Sequence, residues 1–320
     1  MSVQSSTKRS PKLFTIARWV GTILTTALFI WLVSGQKWEV VLQKATGIPL
    51  WSIALAVVLY IASYGFNTLR WCCLLWAQDV EITYLQAFHM AWAGVFASNI
   101  LPSTIGGDGL RMVGILRYTK SKTIAIGSVA LDRFTNVFAM VCLLPVSLFV
   151  LGGYLVAPHS AKTVGEMAML TISARLRGLF EHYFPKVANA FRAWASRPWA
   201  FVYAFLAAWP SNILPMTATY LLSRQVGMNL SFWQIIGVQT AAYFVSQLPS
   251  INGYGLREAT YTTLYTALGA SIEQASTLAL MTRFLSIIAT LPGAFWLSSS
   301  VTDAALNDAD LNDETETGQS

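Results

Sequence analysis

Long apolar stretches separated by short polar segments dominate the pattern along the chain. The longer stretches lie near residues 14–34, 48–76, 123–156, 198–223 and 271–299, and shorter ones lie near 87–101 and 232–249. A helix that crosses a bilayer needs about 20 mainly apolar residues, so the pattern predicts an all-α, polytopic membrane protein with about 6–8 membrane segments. The shorter stretches predict helices that are broken by Pro and Gly or are re-entrant.

The composition agrees with this pattern. Hydrophobic residues make up 55% of the chain and charged residues 11%, against roughly 45–50% and about 25% in soluble domains. A formal charge of +6 could indicate a nucleic-acid partner, but the basic residues lie in loops and flanks beside aromatic residues such as Trp194 and Trp199. This placement is typical of contact with headgroups. We therefore expect the bilayer, and no nucleic acid, as a partner.

The ends of the chain predict its placement in the membrane. Lys8, Arg9 and Lys12 precede the first apolar stretch, and no small-residue cleavage site follows it, which favours a retained helix with a cytoplasmic N-terminus. We expect a multi-pass protein of a bacterial-type inner membrane. Residues 1–302 form a single transmembrane domain in this interpretation, and the acidic tail at 303–320 is expected to be disordered.

One short motif occurs twice. Residues 101–111 read LPSTIGGDGLR and residues 248–257 read LPSINGYGLR, and each copy is flanked by a short apolar helix and a longer one that contains arginine. A chance match would not include the flanks, so we predict an internal duplication. Repeat one covers about 48–156 and repeat two about 198–299. A basic segment at 158–197, with the helical spacing of an interfacial helix, connects them.

The orientation of the repeats has two alternatives. If the short stretches at 87–101 and 232–249 both cross the membrane, the basic segment lies on the cytoplasmic side and the repeats are inverted. If each forms a re-entrant hairpin with the following helix, that segment lies outside, against its positive charge. We favour the inverted arrangement.

The repeated turns are predicted hinges, because proline ends a helix and glycine allows a sharp turn. Their hinge residues are Pro102, Gly106, Gly107, Gly109, Pro249, Gly253 and Gly255. Helices are expected to begin after Gly109 and Gly255, which places Arg111 and Arg257 in the first turns. Helix N-termini and guanidinium groups both suit phosphate. We expect the two turns to cradle one anionic headgroup.

Charges inside the spanning stretches are also candidate binding residues. Arg133 and Arg283 lie well inside apolar stretches, where an unpaired arginine costs at least about 2.5–3.5 kcal/mol. The acidic residues available to them, as counterions or proton carriers, are Asp108, Asp132 and Glu258. Asp132 and Arg133 point about 100° apart on a helix, which favours a partner from another helix or a substrate phosphate. The arginines could instead be structural counterions. Arg70 is expected to snorkel to an interface or to pair with Asp79 or Glu81.

Other chemistry is not indicated. His89, His159 and His182 have no metal-ligand spacing, and the three cysteines form no CxxC pair. The segment GGDGLRMVG lacks the lysine and hydroxyl residue of a phosphate-binding loop. We expect no cofactor and no metal, and a transporter rather than an enzyme.

The motifs resemble those of the lysylphosphatidylglycerol synthase transmembrane-region family, also called flippase-like domains. The resemblance rests on LPSTIGGDGLRMVGILRY at 101–118, SVALDRF at 128–134 and LPSINGYGLRE at 248–258. It implies a polytopic helical protein whose flippase-like part moves anionic, modified or polyprenyl-linked lipids between leaflets. No aminoacyl-transferase domain follows in this sequence, so synthase activity is not expected. Tyr254 stands where the first copy has Asp108, so the two half-sites differ.

The sequence therefore favours a membrane lipid translocase, with an anionic or polyprenyl-linked lipid as its substrate. The alternative is a non-transporting subunit or a lipid-modifying enzyme of an envelope-lipid pathway, in which the turns are only structural. The sequence is compatible with a homo-oligomer.

Overall fold

The computed structural model describes residues 47–100, 104–119, 121–155, 194, 196–247 and 256–296. These residues contain no strand and eight helices of at least 12 residues, which confirms the all-α prediction. The helices are α1 (Leu50–Trp76), α2 (Tyr84–Ile100), α3 (Thr104–Ile115), α4 (Lys122–Leu155), α5 (Trp199–Gln225), α6 (Phe232–Ser246), α7 (Leu256–Ala267) and α8 (Ile272–Thr290). The predictions for the N-terminal helix, most of the basic segment and the acidic tail concern residues outside these ranges.

The helices form two sets of four with matching order. The first set, α1 to α4, has lengths of 27, 17, 12 and 34 residues, and the second set, α5 to α8, has 27, 15, 12 and 19. The packing matches as well, since α4 lies against α5 and α6 while α8 lies against α1 and α2. Exchanging the two sets leaves the pattern of substantial contacts among the described helices unchanged. A two-fold relation would produce this pattern.

The first helices of the two sets, α1 and α5, run antiparallel. At one end the indole Nε1 of Trp194 donates to the carbonyl of Leu74 at 2.7 Å, and Arg197 pairs with Asp79 at 2.7 Å. At the other end Ala56 and Leu222 belong to the same hydrophobic cluster. The helix α1 and the Lys122–Gly152 part of α4 are long and apolar enough to cross a bilayer. The first helices of the two sets therefore run in opposite directions, as inverted repeats require, and the orientation of the repeats in the membrane stays a prediction.

Matching caps begin the second and fourth helix of each set. Thr83 with Gln86 precedes α2, and Ser231 with Gln234 precedes α6, each exchanging hydrogen bonds between side chain and backbone. Ser121 accepts from the amide of Ile124 before α4, while Ser271 forms the corresponding cap with Gln274 before α8. A hydroxyl cap satisfies an amide that the first helical turn leaves without a partner. The local signals are thus duplicated along with the helices.

The short helices α2 and α3 pack as an antiparallel hairpin. A Cβ atom at Gly107 would overlap the carbonyl oxygen of Gly94 and the hydroxyl of Ser98, and a Cβ at Gly114 would lie 2.6 Å from the sulfur of Met90. The helix α3 is about 18 Å long at 1.5 Å per residue, too short to cross a hydrocarbon core of about 30 Å. The helices α6 and α7 also contact each other. The hairpin packing of α2 with α3 is a feature of the re-entrant alternative, and the choice between the two alternatives stays a prediction.

Candidate functional site

A buried cluster of charges joins α1, α3 and α4. The Nε of Arg70 donates to Oδ1 of Asp132 at 2.7 Å, and Nη2 of Arg111 donates to Oδ2 of the same residue at 3.0 Å. The side chain of Asp132 is only 1% exposed. As the helix geometry predicted, Asp132 is paired from other helices. One carboxylate here neutralises two guanidinium groups, which leaves one surplus positive charge.

Arg111 makes two further contacts that help to fix its position. Its Cζ lies 4.2 Å from the ring centroid of Trp71, within the range of a cation–π interaction. Its Nη1 lies 3.7 Å from the carboxylate of Asp108. Arg111 follows Gly107 in α3, the residue at which this helix crosses α2. Its buried Nε has no hydrogen-bond partner among the described residues.

The predicted start of this helix was wrong. The helix α3 begins at Thr104, so Gly106, Gly107 and Gly109 lie inside it and Arg111 is well past its first turn. Gly107 is needed for the close approach of α3 to α2 and does not form a turn. A Cβ at Gly109 would meet only open space. The other predicted hinge residues, Pro102, Pro249, Gly253 and Gly255, lie outside the described ranges.

A second ion pair lies at the edge of this cluster. Arg133 donates to Oδ2 of Asp108 from Nε and Nη2, both at 2.9 Å, and the Arg133 side chain is 51% exposed. Arg133 is the twelfth residue of α4, within the part apolar enough to span a bilayer. Because contact of such a pair with acyl chains is costly, its open side is expected to face water or headgroups.

We call this group the first cluster; it consists of Arg70, Asp108, Arg111, Asp132 and Arg133. Its hydrogen bonds extend to the second set of helices. Arg70 donates through Nη1 to Oδ1 of Asn136 at 2.6 Å. Asn136 in turn accepts from Asn212 at 3.1 Å and donates to the hydroxyl of Tyr243 at 3.1 Å. These hydrogen bonds connect α4 with α5 and α6.

The sequence interpretation was also wrong about the environment of Arg70. It neither snorkels nor pairs with Asp79 or Glu81, because Asp132 binds it in the interior and Arg197 occupies Asp79. A lone arginine inside an apolar stretch was the only signal in the sequence. That signal shows that a partner is needed but does not say which residue supplies it.

The second cluster consists of Arg257, Glu258, Tyr261 and Arg283 on α7 and α8. Arg257 lies in the first turn of α7, as predicted. Its Nε donates to the hydroxyl of Tyr261 at 2.9 Å, and no carboxylate among the described residues forms an ion pair with it. The Tyr261 hydroxyl donates to Gln239 at 3.4 Å. Arg283 lies 3.7 Å from Oε1 of Glu258.

The two clusters differ at equivalent helix positions. Arg133 and Arg283 are each the twelfth residue of their helix, and the preceding position holds Asp132 in α4 but Thr282 in α8. Counting in the same way along α1 and α5, Arg70 corresponds to Thr219. The arginine of the long helix is thus duplicated, while the buried carboxylate and its second arginine are not.

A cleft opens beside the second cluster. It is lined by Arg257, Glu258, Tyr261, Thr282, Arg283 and Ser286. The Glu258 side chain is 5% exposed, and its Oε2 has no hydrogen-bond partner among the described residues. Two guanidinium groups beside one carboxylate can hold an anion that also carries a hydrogen-bond donor. No group of three or more potential metal ligands occurs in the described part of the chain.

The structure does not bring Arg111 and Arg257 into contact. Arg111 contacts Asp108, Asp132 and Trp71, whereas Arg257 contacts Tyr261. A single cradle formed by both turns therefore stays a prediction.

Comparison with known proteins gives the family. The model described as the lysylphosphatidylglycerol synthase TM region matches residues 18–293. The chain is 21% identical over 290 residues to UPF0104 membrane protein PH1989 of Pyrococcus horikoshii, covering 75% of this chain and 84% of that protein. No solved structure gives a significant match. Since the family model covers most of its length, this chain is a membrane protein that belongs to the lysylphosphatidylglycerol synthase TM region family.

Proposed function

We propose that the protein is a lipid translocase that moves a phosphate-bearing lipid between the leaflets of a bacterial-type inner membrane. The observation that carries the proposal is the charge balance of the two clusters. Among the described residues they hold five arginines, namely Arg70, Arg111, Arg133, Arg257 and Arg283, against the three carboxylates Asp108, Asp132 and Glu258.

A surplus of two positive charges in membrane-embedded helices needs compensation, because an uncompensated charge in hydrocarbon is costly. A phosphate supplies the missing negative charge, and its oxygens match the planar donors of arginine. The half-exposed Arg133 offers a first contact at the protein surface, and the less exposed Arg283 a second one. Acyl chains remain in the bilayer while the headgroup moves between these contacts.

The inverted sets supply a means of alternating access. In this proposal the hairpin of α2 and α3 is re-entrant from one side of the membrane, and the hairpin of α6 and α7 is re-entrant from the other. Repeats related in this way bind substrate between them in many transporters. Pro210 and Pro215 interrupt the backbone hydrogen bonds of α5 and provide flexible points beside the interface.

One observation favours the alternative, a non-transporting subunit or lipid-modifying enzyme in which the charges are structural. Arg111, Arg133 and Arg283 each lie within ion-pair distance of a carboxylate. Arg257 supports the translocase proposal, because it contacts a tyrosine and forms no ion pair within the described residues. A purely structural arginine at this depth would be expected to have a carboxylate partner.

The test is leaflet exchange in liposomes that contain the purified protein and fluorescent phosphatidylglycerol or a polyprenyl phosphate lipid. We expect protein-dependent exchange that falls at least about tenfold in Arg257→Gln, since one charged hydrogen-bond donor is lost. The matched control is Arg224→Gln, because Arg224 is exposed at the end of α5 and its side chain donates to Asn229. Absence of exchange of either lipid in the folded wild type, or equal exchange in Arg257→Gln, would count against translocation through this site.

A further inference from the structure

We propose that the cleft of the second cluster binds a phosphate ester whose headgroup carries its own hydrogen-bond donor, a hydroxyl or an ammonium, and that Glu258 accepts this donor. The inference rests on the proposed function for the lipid nature of the ligand. It goes further by naming one half of the protein as the headgroup pocket and by limiting the headgroup chemistry.

The first step concerns the two oxygens of Glu258. Oε1 faces Arg283 at 3.7 Å, whereas Oε2 is buried and has no hydrogen-bond partner among the described residues. Leaving a buried carboxylate oxygen without a donor is costly, so such atoms are normally satisfied by protein, water or ligand. Glu258 is one of the residues that line the cleft, so a molecule bound there would lie beside this carboxylate.

The second step concerns the cationic side of the cleft. The only hydrogen bond that Arg257 donates within the described residues goes to the neutral hydroxyl of Tyr261. That hydroxyl does not neutralise the guanidinium, and the nearby carboxylate of Glu258 already faces Arg283. A phosphate oxygen would supply the counter-charge for Arg257.

The third step concerns the hydroxyl groups in the same cleft. The hydroxyl of Thr282 donates to the carbonyl of Leu278 at 2.9 Å, and that of Ser286 donates to the carbonyl of Arg283 at 2.7 Å. Their hydrogens are occupied within the helix, so neither is available to satisfy Glu258. In this proposal the ligand supplies the donor for Oε2.

The first cluster lacks the equivalent acceptor. When the two GLR motifs are aligned, Glu258 corresponds to Met112, an apolar residue packed against a hydrophobic cluster. Of the two GLR motifs, only the one in the second set of helices has a carboxylate directly after its arginine. The proposed pocket is therefore expected in the second set of helices alone, even though the helices around it are duplicated.

The experiment is native mass spectrometry of the detergent-purified full chain with three competing lipids of identical acyl chains. Phosphatidylglycerol carries hydroxyl donors, phosphatidylethanolamine carries an ammonium, and phosphatidylmethanol is a phosphodiester without a donor. We expect at least about tenfold stronger binding of one or both donor-bearing lipids than of phosphatidylmethanol, as for one hydrogen bond to a charged group. Which lipid is preferred identifies the donor. Excess glycerol 3-phosphate tests whether a soluble ester displaces it.

Two variants connect this preference to the residue. Glu258→Met removes the acceptor at similar size and Glu258→Gln keeps one oxygen, so the preference is expected to vanish in the first and to weaken in the second. Glu81→Gln, at an exposed loop position, is the matched control and should keep the preference.

The outcomes separate this inference from the proposed function. Equal wild-type binding of phosphatidylmethanol and both donor-bearing lipids overturns the inference, even if lipids exchange between leaflets. Displacement by glycerol 3-phosphate at equal affinity overturns the lipid assignment. Selective binding without leaflet exchange supports the pocket and argues against translocation. The wild-type comparison decides the question even if both Glu258 variants fail to fold.

Discussion

The two charge clusters show how a duplicated scaffold can hold two different sites. In the first cluster Asp132 binds two arginines in a nearly closed interior, whereas the equivalent position in the second cluster is Thr282 and Arg257 is left beside a tyrosine. The helices, their caps and their contacts match between the sets. The difference therefore comes from a few side chains: the first cluster has a buried carboxylate shared by two arginines, and the second has an arginine without an ion pair among the described residues beside a small cleft.

The largest effect is expected from removing the shared carboxylate. Asp132→Asn should lower the free energy of unfolding by about 3–5 kcal/mol, because two buried guanidinium groups lose their common counter-charge. The counterpart Thr282→Val loses one hydrogen bond to a backbone carbonyl and should cost about 1 kcal/mol. Denaturant unfolding in mixed micelles measures both. Equal losses of stability would show that the shared carboxylate does not stabilise the first cluster more than Thr282 stabilises the second.

The next effect tests the hairpin that carries Arg111. Gly107→Ala should cost about 1–3 kcal/mol, because its Cβ would overlap the backbone of Gly94 and force α2 and α3 apart. Gly109→Ala, two residues away in the same helix, meets open space and should be neutral or stabilise by about 0.5–1 kcal/mol. The same unfolding measurement applies. A tolerated Gly107→Ala would contradict the close crossing.

A smaller effect separates stability from transport. Arg257→Gln should reduce leaflet exchange by about tenfold while changing the free energy of unfolding by less than about 1 kcal/mol, since no ion pair is broken. Arg111→Gln should reduce both, because Arg111 binds Asp132 and packs on Trp71. Exchange rates and unfolding curves on the same preparations make the comparison. Loss of stability in Arg257→Gln would remove the distinction.

The smallest effect is expected outside the membrane, at the pair that joins the ends of α1 and α5. The hydrogen bonds from Arg197 hold the pKa of Asp79 below its usual value. A lowered pKa means that the pair stabilises the fold at neutral pH and that this contribution disappears as the pH falls through the lowered value, below about 3.9.

The variant for this test is Asp79→Asn, because Asp79 has a φ of 56° and asparagine tolerates that conformation, so only the charge changes. We expect a slightly lower melting temperature at neutral pH and low salt, with no difference at high salt or in strong acid. A difference that persists in high salt would indicate a role beyond the ion pair.

Much of the fold was predictable because apolar length and repeated motifs are local signals. The apolar stretches predicted the helical class, and the repeated turn placed Arg257 correctly at the start of α7. The start of α3 was not predictable from the same motif, since glycine is compatible with a turn, a helix or a close crossing. Gly107 lies in a helix because Gly94 of α2 approaches it closely, and that approach depends on how two helices pack.

The site was less predictable for a similar reason. The sequence indicated that Arg133 and Arg283 need partners, because isolated charges are costly in a membrane. It could not indicate that Arg70, on a different helix, shares Asp132 with Arg111, because that contact depends on how α1, α3 and α4 pack. The sequence also could not show that Oε2 of Glu258 is buried without a hydrogen-bond partner among the described residues, because a glutamate at a helix start is a common favourable residue there.

The sharing of Asp132 also limits the order in which this sequence can change during evolution. Replacing Arg70 first leaves Arg111 and Asp132 as a balanced pair, and the aspartate can then be lost together with the second arginine. Replacing Asp132 first leaves two buried cations facing each other, which is the least tolerated intermediate. Homologues should therefore include chains that have lost Arg70 but kept Asp132, while chains with the reverse combination should be rare.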